Sequence, residues 1–124
     1  MERTDVMGWV RMYESAWRSP GTDKLAGVFT EDVCYLASPW ADPVEGLAAV
    51  AEFWDDEREG PDEEFTMSSE VVAVDGRTAV VRAQVDYVDT GERWRDLWVL
   101  RFADDGRCSH FEEWPIAPDQ DDGH

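Results

Sequence analysis

The chain has 124 residues, of which 43% are hydrophobic, and this suits one globular domain with one core. Its formal net charge of −18 disfavours binding to nucleic-acid phosphates or to an anionic membrane surface. No apolar run approaches the roughly 20 residues of a membrane span, and the first residues lack the features of a signal peptide. The two cysteines, Cys34 and Cys108, have no metal-type spacing. We therefore expect a cytoplasmic protein with reduced cysteines.

The first half of the chain predicts three helices and one strand. Apolar residues recur at helical spacing after Thr4, which is predicted to cap the first helix. A short second helix is predicted over residues 23–29, a strand over residues 33–38, and a third helix from Leu47 to about Arg58. Trp40 lies in a proline-flanked loop between them, as a lid or packed against the third helix.

The second half predicts four strands, reached through a charged connection over residues 59–64. They cover residues 65–74, 78–88, 93–102 and 108–115, and turn pairs such as Asp75-Gly76 separate them. Helices followed by a meander of strands indicate an α+β fold with an antiparallel sheet. We expect one domain over residues 1–118 and a disordered polar tail over residues 119–124.

Turn lengths predict which strand residues share a face. A two-residue turn at Thr90-Gly91 pairs Tyr87 with Trp94, and a three-residue turn over residues 104–106 pairs Trp98 with Glu112. One face then collects Tyr87, Trp94, Asp96, Trp98, Leu100, Phe102, Cys108, His110, Glu112 and Trp114. The opposite face carries charged residues, Glu113 among them, with Leu97, Val99 and Phe111, which suits a dimer contact or a partly covered sheet.

The aromatic face is predicted to form a pocket for a small organic molecule. It is too apolar to face water, yet it contains acids and an imidazole that a sealed core would not tolerate unpaired. The chain has seven Trp, three Tyr and five Phe, and we expect its large aromatic residues to form core and pocket wall. The predicted ligand-binding residues are Trp9, Trp17, Tyr35, Trp54, Tyr87, Trp94, Trp98 and Trp114.

Several short segments of the chain, taken together in their order along the sequence, resemble one protein family over about residues 4–116. They are residues 13–17, 23–25 and 29–33, Pro43 with Gly46, and residues 98–107 followed by Glu113-Trp114. The sequence resembles the nuclear transport factor 2-like superfamily, in its SnoaL-like and ketosteroid-isomerase branches. This resemblance implies a cone, in which a strongly bent sheet wraps three helices, and a homodimer formed through the outer sheet face.

The resemblance does not fix the reaction, because the superfamily includes isomerases, cyclases, epoxide hydrolases, dehydratases and non-catalytic binders. Tyr13 matches the tyrosine that donates a hydrogen bond to the oxyanion in ketosteroid isomerases. Their general-base aspartate falls at or beside Ala37, and their second oxyanion donor, a carboxylic acid, falls at Trp98. Since both carboxyl groups are missing here, steroid isomerisation by that route is not expected.

A different set of residues is the predicted catalytic site. Asp96 would be the base, with a pKa raised by its aromatic surroundings, and Tyr13 would donate a hydrogen bond. His110 and Glu112 would orient the substrate or relay protons. The alternative is that all four residues have structural roles only, as packed or hydrogen-bonded side chains. A metal held by Asp96, His110 and Glu112 is disfavoured, because one H-x-E on a strand is a weak metal signal.

The leading hypothesis is therefore a cofactor-free, metal-free acid–base enzyme that acts on a small hydrophobic metabolite. Isomerisation, cyclisation, dehydration and hydrolysis all remain open. One alternative is a non-catalytic ligand-binding or interaction domain with the same fold. Another is a structural dimer with a closed, dry core.

Overall fold

A computed structural model describes residues 1–57 and 64–123. Its helices are α1 (Arg3–Arg18), α2 (Leu25–Val28) and α3 (Leu47–Glu57). Its strands are β1 (Phe29–Leu36), β2 (Val44–Glu45), β3 (Phe65–Asp75), β4 (Thr78–Tyr87), β5 (Arg93–Phe102) and β6 (Cys108–Ile116). The predicted end of the third helix at Arg58, residues 59–63 of the charged connection and the last residue of the tail lie outside the described residues. None of the helices in the described ranges is long and apolar enough to cross a membrane.

The six strands form one mixed, mostly antiparallel sheet in the order β2-β1-β6-β5-β4-β3. Only the β1–β6 pair is parallel among the described strands. The predicted α+β class is confirmed, while the boundaries of several elements differ from the prediction. Strand β1 begins at Phe29 and not at residue 33, because the Phe29 backbone already pairs with Cys108. Helix α2 is therefore shorter than predicted. The short strand β2, which pairs with β1, was not predicted.

Helix α1 packs its apolar side against the sheet and α2. The helix begins after Glu2, whose backbone N–H donates to the Asp5 carboxylate at 2.8 Å, and not after Thr4. Val6, Ala16 and other apolar residues along its inner side are buried. Trp9 donates its indole N–H to the Val28 carbonyl at 2.9 Å and so fixes α1 to α2. This attachment places the next inward turns of α1 over the sheet.

The β4–β5 register differs from the prediction by two residues. A four-residue loop over residues 88–91 joins the strands, and the Tyr87 N–H donates to the Glu92 carbonyl. Val85 therefore pairs with Trp94, and Ala83 pairs with Asp96. Since side chains alternate with a period of two, an even shift leaves every side chain on its predicted face.

The β5–β6 register differs by one residue, which has a larger effect. Phe102 pairs with Cys108 as predicted, but the preceding residue of β5, Arg101, pairs with His110. Ser109 is therefore an extra residue in a β-bulge, and every later side chain of β6 changes face. The prediction that His110, Glu112 and Trp114 point toward the helices is wrong. Phe111 and Glu113 occupy the inward positions instead.

Phe111 is the centre of an aromatic core that joins α1 to the sheet. Its side chain is fully buried. Its ring stacks on Tyr35 with centroids 4.8 Å apart and on Tyr13 at 5.5 Å, and it packs against Trp98 at 5.6 Å. The bulge thus supplies the ring against which three elements pack.

Replacement of Phe111 by Ala should destabilise the fold by about 3–5 kcal/mol, because it removes a fully buried ring from this cluster. The neighbouring substitution His110→Ala, on the outer face, should cost less than about 1 kcal/mol. Urea unfolding followed by far-ultraviolet circular dichroism measures both. A larger loss for His110→Ala than for Phe111→Ala would contradict the observed register.

Candidate functional site

A cavity of about 410 Å³ lies between α1, α3 and the inner face of the sheet. Its walls are mainly aromatic and acidic, which contradicts the alternative of a closed, dry core. The aromatic lining consists of Tyr13, Trp17, Tyr35, Phe53, Phe65, Tyr87, Trp94 and Trp98. The acidic lining consists of Glu57, Glu92, Asp96 and Glu113, and Ala37, Met67, Val85 and Pro115 complete the wall.

The predicted site residues divide into three groups. Seven of them line the cavity: Tyr13, Trp17, Tyr35, Tyr87, Trp94, Asp96 and Trp98. Trp9 and Trp54 are buried in the core and do not line it. Trp114, at 44% exposure, lies on the outer face, where the bulge also places His110 and Glu112.

The outer-face residues form a small hydrogen-bonded cluster of their own. Glu112 accepts a hydrogen bond from the Trp114 indole N–H at 2.7 Å, and its other oxygen lies 3.3 Å from His110 Nε2. The Trp114 bond, followed by the His110 contact, lowers the pKa of Glu112. A carboxylate stabilised in its charged form on the outside of the sheet cannot exchange a proton with a molecule in the cavity. Neither His110 nor Glu112 therefore belongs to the candidate site.

Asp96 and Glu113 bring two carboxyl groups together inside the cavity. Trp98 pairs with Glu113 across the strands while Asp96 pairs with Pro115, so the two acids are diagonal neighbours on the inner face. Trp98 lies between them and donates its indole N–H to Glu113 Oε2 at 3.2 Å. Asp96 is 8% exposed, and its Oδ1 has no hydrogen-bond partner within the described part of the chain.

The two acids differ in their affinity for a proton. Burial raises the pKa of Asp96 to about 6, although hydrogen bonds with Trp98 and Glu113 oppose that rise. Burial and the adjacent Asp96 charge raise the pKa of Glu113 to about 8. The hydrogen bond between the acids lowers the pKa of Asp96 and raises that of Glu113. Near neutral pH the pair therefore retains one proton, which the two carboxyl groups share.

Two tyrosines complete the polar wall. Burial raises the pKa of both Tyr13 and Tyr35 well above the usual value, and the charges of Glu113 and Asp96 raise both further. Both tyrosines line the same cavity as the acid pair. The hydroxyls stay neutral, so each can donate a hydrogen bond to a bound oxygen atom.

The cavity offers proton donors and acceptors from its own side chains. Within residues 1–57 and 64–123, no three His, Cys, Asp or Glu side chains converge on a position that could hold a metal ion. The chemistry that this arrangement supports with its own groups is proton transfer.

Comparison with known proteins identifies the family. The sequence pattern of the SnoaL-like domain matches residues 9–111, most of the chain. The chain belongs to the SnoaL-like family. No curated protein matches the sequence significantly.

Solved structures of several other proteins share the fold. A candidate polyketide cyclase from Sinorhizobium meliloti has a TM-score of 0.70 at 24% identity, over 91% of this chain and 99% of that one. A candidate SnoaL-like polyketide cyclase from Jannaschia sp. CCS1 has a TM-score of 0.73 at 20% identity, over 92% and 86%. An LEH-like epoxide hydrolase from M. tuberculosis has a TM-score of 0.65 at 14% identity, over 91% and 84%. At these identities the likeness shows the fold, which is the predicted nuclear transport factor 2-like one.

The three positions that correspond to catalytic residues of ketosteroid isomerases all lie on the cavity wall of this SnoaL-like domain. Tyr13, Ala37 and Trp98 each line it. The wall position at Ala37 carries no acid, and the one at Trp98 carries an indole. The acids of this cavity occupy other positions, at Asp96 on β5 and at Glu113 on β6.

The acid pair should make the stability of the domain depend on pH. Both carboxyls have folded-state pKa values above their unfolded values, so their protonated forms stabilise the fold in acid. This contribution is lost as the pH rises through about 6 and about 8. Compared with the neutral variant Asp96→Asn/Glu113→Gln, the wild type should lose at least about 1 kcal/mol between roughly pH 5 and pH 8.5.

Urea unfolding at the two pH values measures this difference. The Glu112→Gln variant is the matched control, because Glu112 is a glutamate on the same strand with a lowered pKa. It should follow the wild type across this range. If the stability of the wild type and of the double variant changed with pH in parallel, burial would not raise the pKa values of the two acids.

Proposed function

We propose that this SnoaL-like domain is a cofactor-free acid–base enzyme that acts on a small hydrophobic molecule with a carbonyl or epoxide oxygen. The observation that carries the proposal is the Asp96–Glu113 pair, in which one acid is ionised and the other protonated in the same cavity near neutral pH. A base and an acid held side by side are what concerted proton transfer requires.

The pair can act on both ends of an enolisable group. Asp96 removes a proton from the carbon next to a carbonyl, and Glu113 gives its proton to the carbonyl oxygen, so that an enol forms. Tyr13 and Tyr35 donate hydrogen bonds to the same oxygen and stabilise the charge that develops on it. Return of the proton to a different carbon completes an isomerisation, and attack of the enol carbon on a second carbonyl completes a cyclisation.

The cavity wall selects for an apolar substrate body. Eight aromatic side chains line it, and its volume of about 410 Å³ lies within the usual range of small-molecule sites. The structural neighbours are compatible with this reaction class, since they include candidate polyketide cyclases, a candidate isomerase from Agrobacterium tumefaciens and an epoxide hydrolase.

Exchange of carbon-bound protons tests the proposal before a natural substrate is known. Hydrophobic cyclic ketones in deuterated buffer should lose their α-proton signals in NMR spectra when the protein is added. Asp96→Asn and Glu113→Gln should each slow the exchange by about 10²–10⁴-fold, because each removes one proton-transfer group. The wild-type rate should follow a bell-shaped pH profile with its maximum between the two pKa values, about 6 and about 8.

The control is Glu112→Gln, which changes the residue next to Glu113 but lies on the outer face, and it should exchange at the wild-type rate. An equal loss of rate in Glu112→Gln and Glu113→Gln would remove the special role of the inward acid. If no ketone or epoxide in a broad panel reacts while the same compounds bind, the domain is a ligand carrier.

A further inference from the structure

The charge of the cavity wall has one sign. Four carboxyl groups line it, and no Lys, Arg or His is among its described lining residues. Two of the acids, Asp96 and Glu113, are the inward pair on the sheet, whereas Glu57 and Glu92 are exposed and stand at the rim. A molecule that enters the cavity therefore passes two carboxylates before it reaches the acid pair.

The rim acids are close to aromatic rings and to the acid pair. Trp94 donates its indole N–H to Glu92 at 3.3 Å, and Tyr87 lies on the adjoining wall with its backbone N–H bonded to the Glu92 carbonyl. The charge of Glu57 raises the pKa of Glu113, which shows that this carboxylate acts on the interior of the cavity. Carboxylates close to indole and phenol rings are surroundings that favour organic cations.

The acid pair deeper in the cavity adds to this negative field. Asp96 is more than nine-tenths buried on the cavity wall, and although Trp98 and Glu113 hydrogen-bond to its carboxylate, its Oδ1 has no partner of its own among the described residues. A buried negative charge is costly, and a positive charge elsewhere in the same cavity lowers that cost through space. The mutual repulsion of the lining carboxylates adds to that cost, and a cation would relieve both, whereas an anion would increase the repulsion.

We propose that the cavity takes a cationic small molecule, a protonated amine or a quaternary ammonium with an apolar body. Glu57 and Glu92 hold the positive group at the rim beside Trp94 and Tyr87, and the apolar body extends toward Asp96 and Glu113. The proposal rests on the proposed function in that it names the substrate class for the same cavity. The net charge of −18 also steers cations toward the protein.

Two probes of nearly equal shape test the role of charge. They are 3-hydroxyphenyltrimethylammonium and its uncharged carbon analogue 3-tert-butylphenol, and their binding to the intact protein is measured at neutral pH by tryptophan fluorescence and calorimetry. The cation should bind at least about tenfold more tightly, because it gains cation–π and carboxylate contacts that the analogue lacks. High salt should reduce this preference.

Paired variants locate the effect. Glu57→Gln/Glu92→Gln should abolish the preference for the cation and leave the affinity for 3-tert-butylphenol within about twofold of the wild type, since its apolar contacts remain. Glu52→Gln/Glu31→Gln removes the same net charge at exposed acids that do not line this cavity, and it should retain the preference.

Equal affinity for the two probes, tighter binding of the phenol, or binding of neither probe would overturn the cation proposal. So would a preference that survives Glu57→Gln/Glu92→Gln. None of these outcomes affects the ketone exchange experiment, which reports on Asp96 and Glu113 with uncharged compounds. The two proposals can therefore fail separately.

Discussion

One unpaired residue on the last strand decides what the inner face of this sheet contains. Ser109 adds a residue to β6 between the pairs Phe102–Cys108 and Arg101–His110, so the side chains beyond it alternate in the opposite sense. The bulge turns Phe111 and Glu113 toward the helices and His110 and Glu112 toward the outside. The central ring of the aromatic core and the second acid of the cavity both depend on this single insertion.

The aromatic core and the acid pair both result from the change of side-chain face that the bulge causes in β6. Phe111 stacks on Tyr13 and Tyr35, and these two tyrosines line the cavity together with Glu113, which follows Phe111 by two residues. Rings that exclude water around the acids also raise their pKa values, since a carboxylate loses hydration there. The packing that stabilises the fold therefore also prepares the acids for proton transfer, and the buried carboxyls reduce stability at alkaline pH.

The sequence was sufficient for most of the elements and for part of the site. Helical and alternating patterns predict α1, α3 and the last four strands, because each buries one face over at least ten residues or follows a clear turn. Tyr13 was placed correctly on the cavity wall because the helical periodicity of α1 determines its face. Asp96 was also placed correctly, because the register shift of two residues at β5 leaves its face unchanged. Glu113 was missed because a bulge has no short sequence signature of its own. A signal was nevertheless present, since the predicted register left Phe111 beside Leu97 and Val99 on the outer face, an apolar load that the bulge reduces by burying the ring.

The position of the acids explains why family likeness alone could not supply the function. In this SnoaL-like domain the wall positions expected to carry carboxyl groups hold Ala37 and Trp98, yet the cavity contains an acid two residues from Trp98 along β5 and another opposite it on β6. The fold thus keeps its cavity, while the acids of this chain lie at other positions of the same sheet than the resemblance predicts. Such a difference preserves the packing, because strand residues two positions apart point to the same face of the sheet. It alters the place in the cavity at which a proton is removed from the substrate and returned to it. The reaction of the domain must accordingly be derived from Asp96 and Glu113, and the indole between them, rather than from the shared fold.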